Sequence, residues 1–168
     1  MEYSVIYSNR KTVSLSIKDG ALTVRAPHKT EEKRIAEILN KHQAWIKKHL
    51  IISAEKEKRF ENLTEEKIKE LKKEAKKYFS SKTKEFSKIM GLNYGRITIT
   101  SAKTRFGSCS SKGNISFSYR LMLYPIPARE YVIVHELCHL VYMNHSRDFY
   151  RLISMYLPDY KERKRLLK

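Results

Sequence analysis

Residues 131–146 read Tyr-Val-Ile-Val-His-Glu-Leu-Cys-His-Leu-Val-Tyr-Met-Asn-His-Ser. From Val132 to Leu140 only His135, Glu136 and His139 interrupt an otherwise apolar run, which predicts a helix inside a core rather than on a surface. His135 and His139 are four apart, a spacing that stacks two imidazoles one turn apart on one helix face. Burying two histidines and a carboxylate is costly unless they share a partner, and a metal ion suits this spacing. Both rings can reach one Zn²⁺ at about 2.0–2.1 Å. Glu136 is placed to accept a proton from an activated water without holding the ion. A catalytic zinc takes three protein ligands and leaves one position open. His145 is the best third ligand and Asp148 the runner-up. Ser146 reads as the N-cap of a following helix, which would make Asp148 an ordinary first-turn acid. Cys138 lies between the ligands in sequence but off their face, and reads as a buried thiol. Cys109, in Gly107-Ser-Cys-Ser110, could approach the metal or Cys138.

Pro125 and Pro127 mark the entry to this helix, proline being tolerated in a first turn. Before them, 104–110 and 114–121 flank Ser111-Lys112-Gly113 and predict a hairpin, while Arg96–Ser101 alternates as a further strand. Thr64-Glu65-Glu66 starts a long helix with apolar positions Ile68, Leu71, Ala75, Tyr78, Phe79, Phe86 and Ile89, and Gly91 ends it. Its lysines alternate with glutamates, as on a solvated face. Near the N-terminus, 3–8, 13–17 and 21–26 read as strands, with Asp19-Gly20 as a turn and Pro27 as a stop. A helix starting at Thr30 carries Ile35, Ile38, Leu39, His42, Trp45, Ile46 and His49 on one stripe, its two histidines packed or half-exposed. Residues 53–62 are polar and read as a linker.

The chain has 168 residues, 41% apolar and 11% aromatic, enough to bury a core and to exclude wholesale disorder. Two cysteines are too few for a disulfide scaffold. No apolar run approaches the roughly 20 residues that cross a bilayer. Met1-Glu-Tyr-Ser-Val has neither the basic nor the apolar region of a signal peptide, so a cytoplasmic protein without membrane contact is expected. The 35 basic and 18 acidic residues leave a net charge of +17. Residues 96–168 hold thirteen of the basic and five of the acidic groups, the most one-sided stretch. Such a field attracts polyanions, and weak nucleic-acid binding is expected from it.

Arg105-Phe-Gly-Ser-Cys-Ser, Gly113-Asn-Ile-Ser, Tyr131-Val-Ile-Val-His-Glu-Leu-Cys-His-Leu, Asn144-His-Ser and Pro158-Asp-Tyr-Lys-Glu-Arg together resemble the YgjP-like metallopeptidases, small zincins related to the SprT-like zinc proteases. Val24-Arg-Ala-Pro27 and Trp45-Ile-Lys47 extend the resemblance over nearly the whole chain. It implies His135, His139 and His145 as zinc ligands and Glu136 as general base. Phe106, Tyr119 and Tyr150 stand where tryptophan is expected, and Ser118 where asparagine is. These departures bear on rim contacts and substrate choice.

The expected fold is α+β and zincin-like, with a minigluzincin-type metal helix, a small sheet and a β-rich N-terminal lobe. One metallopeptidase domain should span 1–168, with lobes of about 1–62 and 63–168. The expected activity is zinc-dependent hydrolysis of a peptide or protein substrate, laid against an edge strand of the 104–121 hairpin. Two rivals remain. One is phosphoanhydride hydrolysis of nucleoside triphosphates, with Arg105, Arg120 and Arg147 facing phosphates. The other is a nucleic-acid-binding module with a structural metal, against which stands the count of three ligands rather than four; within the peptidase reading, the resemblance also implies a nucleic-acid-associated SprT-like protease as an alternative. Sequence leaves the oligomeric state open.

Overall fold

Asp19 and Gly20 both adopt positive φ, 48° and 72°, and so close the tight hairpin expected between the second and third strands. The computed structural model describes residues 2–61 and 63–167. These fall into two compact units, residues 1–62 and 63–168; Asn62, at the expected lobe boundary, lies outside the described residues.

In the first unit, β1 (Tyr3–Ser8), β2 (Ser14–Lys18) and β3 (Ala21–Pro27) form one sheet in the order β1-β3-β2. β3 runs parallel to β1 and antiparallel to β2. It alternates strictly, burying Leu22, Val24 and Ala26. Val24 and Ala26 pack with Ile35 into a core that Val5, Val13, Leu15 and Leu39 cover. The following stripe is not one helix. α1 (Glu32–Lys41) stops at His42, and α2 (Gln43–Glu61) restarts at once. The helix begins behind Glu31 rather than Thr30. The expected linker at 53–62 is helical through Glu61, because Ala54, Glu55, Lys58, Arg59 and Glu61 are strong helix formers whatever their polarity. His42 is exposed, and His49 lies half-buried with its ring stacked on Trp45 at 4.1 Å.

In the second unit, Thr64 caps α3 (Glu65–Met90), accepting a hydrogen bond from the Lys67 amide at 3.3 Å. Gly91 ends α3 with φ 65°, and the Leu92 amide reaches back to the Ser87 carbonyl at 2.9 Å. The buried row is Leu71, Ala75, Phe79, Thr83, Ser87 and Met90, while Ile89 is 60% exposed. Small polar residues at 83 and 87 hide this row from a hydrophobic count. β4 (Ile97–Thr100), β5 (Gly107–Cys109) and β6 (Ile115–Ser118) follow. β6 is central, antiparallel to β5 as the hairpin reading expects and parallel to β4. β4 and β5 are therefore the edges. Both arms of the hairpin are shorter than expected: the first is a strand only over Gly107–Cys109, and the second ends at Ser118, where Tyr119–Leu123 turns into a 3-10 helix.

α4 (Ile126–Cys138) is the core helix, with Tyr131–Val134 and Glu136–Cys138 all buried. Phe79 of α3 stacks on Phe117 of β6 at 4.7 Å beneath it. The Arg129 guanidinium donates to the Tyr124 and Met122 carbonyls at 2.7 and 2.6 Å, fastening α4 to the 3-10 turn. α5 (Arg147–Tyr156) and α6 (Tyr160–Arg165) close the unit. Arg163 bridges Glu130 of α4 at 2.6 Å and Asp159 at 2.8 Å. The class is α+β, with the zincin-like order of long helix, small sheet and histidine-bearing helix. Among the described residues no helix is long and apolar enough to cross a membrane.

Candidate metal centre

α4 ends where its chemistry is. Cys138 is its last residue and His139 its C-cap, still in the helical region at φ −68° and ψ −15°. The four-residue stagger of His135 and His139 is thus kept, with ring centroids 4.9 Å apart. The chain then turns through Leu140–Met143, and Ser146 caps α5 by accepting from the Phe149 amide at 3.3 Å. That turn brings His145 back over α4, its Nε2 only 3.1 Å from His135 Nε2.

His135, His139 and His145 each offer a nitrogen within 4.8 Å of the others. Two ligands of a tetrahedral zinc stand about 3.3 Å apart, given bonds of about 2.05 Å. At 3.1 Å the two Nε2 atoms share either a proton or a cation. The rest of the cluster favours neutral rings with inward lone pairs. His139 Nδ1 donates to the Tyr142 carbonyl at 3.0 Å, which leaves its Nε2 bare. His135 Nδ1 lies 3.4 Å from the Tyr131 hydroxyl, its outward partner. Burial first, and then the neighbouring His139 and His145, push the His135 pKa down to about 3. Burial likewise lowers His139. The ring of fully buried Phe149 supports all three imidazoles, at 4.9, 4.6 and 4.9 Å. Three imidazoles that bring one nitrogen each within 4.8 Å of the others match the donor set of a divalent transition metal.

Glu136, the residue after His135 on α4, is 5% exposed. Burial pushes its pKa up to about 8, against the pull of Arg105. It sits directly under β5: a β-carbon on Gly107 would lie 2.5 Å from Glu136 Oε1 and 2.8 Å from its Cδ. An edge strand and a buried carboxylate therefore meet here, through the one residue without a side chain.

Asp148 is in the first turn of α5 and outside the histidine cluster. Cys138 is a buried free thiol pushed up to about 12 by burial, and Cys109 is free on β5, also raised by burial. Of the three arginines weighed for phosphates, Arg105 is the one whose charge reaches Glu136. Arg120 lines a separate pocket with Lys72 and Lys103, and Arg147 lines one on α5. Sequence reasoning missed Tyr131, Phe149 and Gly107. Tyr131 is one turn before His135 on the same helix face, and Phe149 one turn after His145, so a search at four-residue steps finds both. Gly107 carries no such signal, because its neighbour is 29 residues away.

A family model described as YgjP-like, metallopeptidase domain, matches residues 11–70 and 51–168. No curated protein matches the chain. Among solved structures, the crystal structure of the metallopeptidase zymogen of Pyrococcus abyssi abylysin is similar at 22% identity and a TM-score of 0.49. The match covers 53% of this chain and 90% of that one. The family match runs from residue 11 to residue 168 and takes in the whole histidine cluster, and the chain belongs to the YgjP-like metallopeptidase family.

Proposed function

We propose that this metallopeptidase cuts peptide bonds with a zinc ion held by His135, His139 and His145 and with Glu136 as general base. The observation that carries the reading is the convergence of three imidazoles on one helix end, with a buried carboxylate from the same helix under an edge strand. Zinc bound there would supply Lewis acidity, polarising a carbonyl and acidifying a water.

The chain's own residues supply the rest. Glu136 in its ionised form, which a cation held beside it would favour, accepts the proton of the attacking water and passes it to the leaving nitrogen. Tyr131 and the Tyr142 carbonyl hold the rings of His135 and His139 in their tautomers. β5 has a partner on only one side, so an extended substrate can add antiparallel to its free edge. Gly107 lets that strand lie close over Glu136.

Glu136→Gln tests the assignment. The variant should keep its zinc and its melting temperature and lose hydrolysis by at least about a hundredfold, the general-base contribution. Loss of zinc in Glu136→Gln would make Glu136 a ligand and overturn the mechanism. His139→Ala, in turn, should bind no zinc tightly.

A further inference from the structure

Next to the histidines, α5 and α6 enclose an open pocket of about 580 Å³, lined by Arg147, Asp148, Tyr150, Arg151, Ser154 and Tyr160. Tyr150 joins it to the metal centre. Its ring stacks on His145 at 6.2 Å on one side and on Tyr160 at 5.9 Å on the other. The Lys164 ammonium stands 5.5 Å from the Tyr150 ring centre, so a third cation reaches the same wall. Its charge is felt at His135, which it helps keep neutral. Among the described residues, Arg147, Arg151 and Lys164 are in no ion pair. Three unneutralised cations thus face one acid, Asp148, over a floor of two tyrosine rings.

We propose that this pocket receives an acidic side chain of the peptide substrate, so that the enzyme selects chains carrying Asp or Glu on the His145 side of the scissile bond. An extended peptide advances about 3.3 Å per residue. The 6.2 Å between the His145 and Tyr150 rings keeps the pocket within a few such steps of the histidine cluster, and a scan of successive positions finds the one it reads. Guanidinium groups suit a carboxylate because their planar donors match its two oxygens. A lysine in the same place would meet three like charges. The assignment rests on the peptidase reading, and its test is built to fail separately.

The zinc-loaded Glu136→Gln protein, which binds without cutting, is titrated with fluorescent peptides that differ only by Glu, Gln or Lys at successive positions. At one position Glu should tighten binding about fivefold over Gln, the upper range for exposed ion pairs, with Lys weakest. The gain should vanish near about 0.5 M salt, where screening is short-ranged. Arg151→Glu and Arg147→Glu, each placed in that background, should reverse the ranking of Glu over Lys. Lys88→Glu on α3 makes the same charge reversal elsewhere and should leave the ranking in place. Equal binding of all three peptides at every position overturns the proposal, as does a Glu preference that survives both arginine reversals. Failure of the unmodified enzyme to cut a peptide that Glu136→Gln binds in this order would count against the peptidase reading alone.

Discussion

Gly107 and Glu136, 29 residues apart, approach so closely that a single methyl group on Gly107 would fall 2.5 Å from the Glu136 carboxylate. Gly107→Ala must therefore push the carboxylate aside. We expect kcat to drop at least about tenfold with zinc content unchanged, and stability to fall by about 1–3 kcal/mol from overpacking. Zinc stoichiometry and steady-state kinetics on the variant check it. Full activity would show that the position of Glu136 is not critical.

Tyr131→Phe removes the outward partner of His135 and changes nothing else of that size. Groups of this kind tune metal affinity by about 10–100-fold when lost. The contact is long at 3.4 Å, so the lower end is expected: zinc held about tenfold more weakly in a competition with a chelator. Identical affinities would leave Tyr131 a packing residue only.

The metal-free protein should show a plateau of stability against pH. His135 has a folded pKa of about 3 against an ordinary 6.5, so the unfolded chain binds the extra proton in that window. Stability is lost as pH falls from 6.5 towards 3. Glu136 has a folded pKa of about 8 against an ordinary 4.5, so the native chain holds the extra proton. Stability is lost as pH rises from 4.5 towards 8. The two slopes offset each other between 4.5 and 6.5. Melting temperatures of the chelated protein across this range check the shape. A continuous rise through pH 8 would contradict the burial of a protonated Glu136.

The charge of +17 is the last feature to test. We expect DNA or RNA to bind without sequence preference at low salt and to dissociate near about 200 mM, because each phosphate contact releases counterions. A salt titration run beside a peptide assay and a triphosphate assay reads all three activities. Triphosphate cleavage without proteolysis would replace the peptidase reading.

The histidine pair, the carboxylate between them and the hairpin are legible because each is local: a four-residue step, its neighbour, a Gly-containing turn. His145 is legible as a candidate because it follows just past the end of the histidine-bearing helix, and the structure brings its Nε2 to 3.1 Å from that of His135. The break at His42 was not legible, since the apolar residues on either side keep the same period. The linker reading of 53–62 failed for a different reason. Polarity does not make a loop there, because backbone propensity decides. Likewise, Thr83 and Ser87 were passed over as core residues because their burial depends on what packs against α3, not on their own character.

The bond from His139 to residue 142 uses the backbone oxygen of Tyr142, not its side chain. Any amino acid at that position presents the same oxygen, so point substitutions can accumulate there without loosening the imidazole. One residue inserted between Leu140 and Asn144 would carry the oxygen away and shift His145 off His135 at the same time. Along this segment, then, the imidazoles depend on the number of residues and not on the side chain at 142.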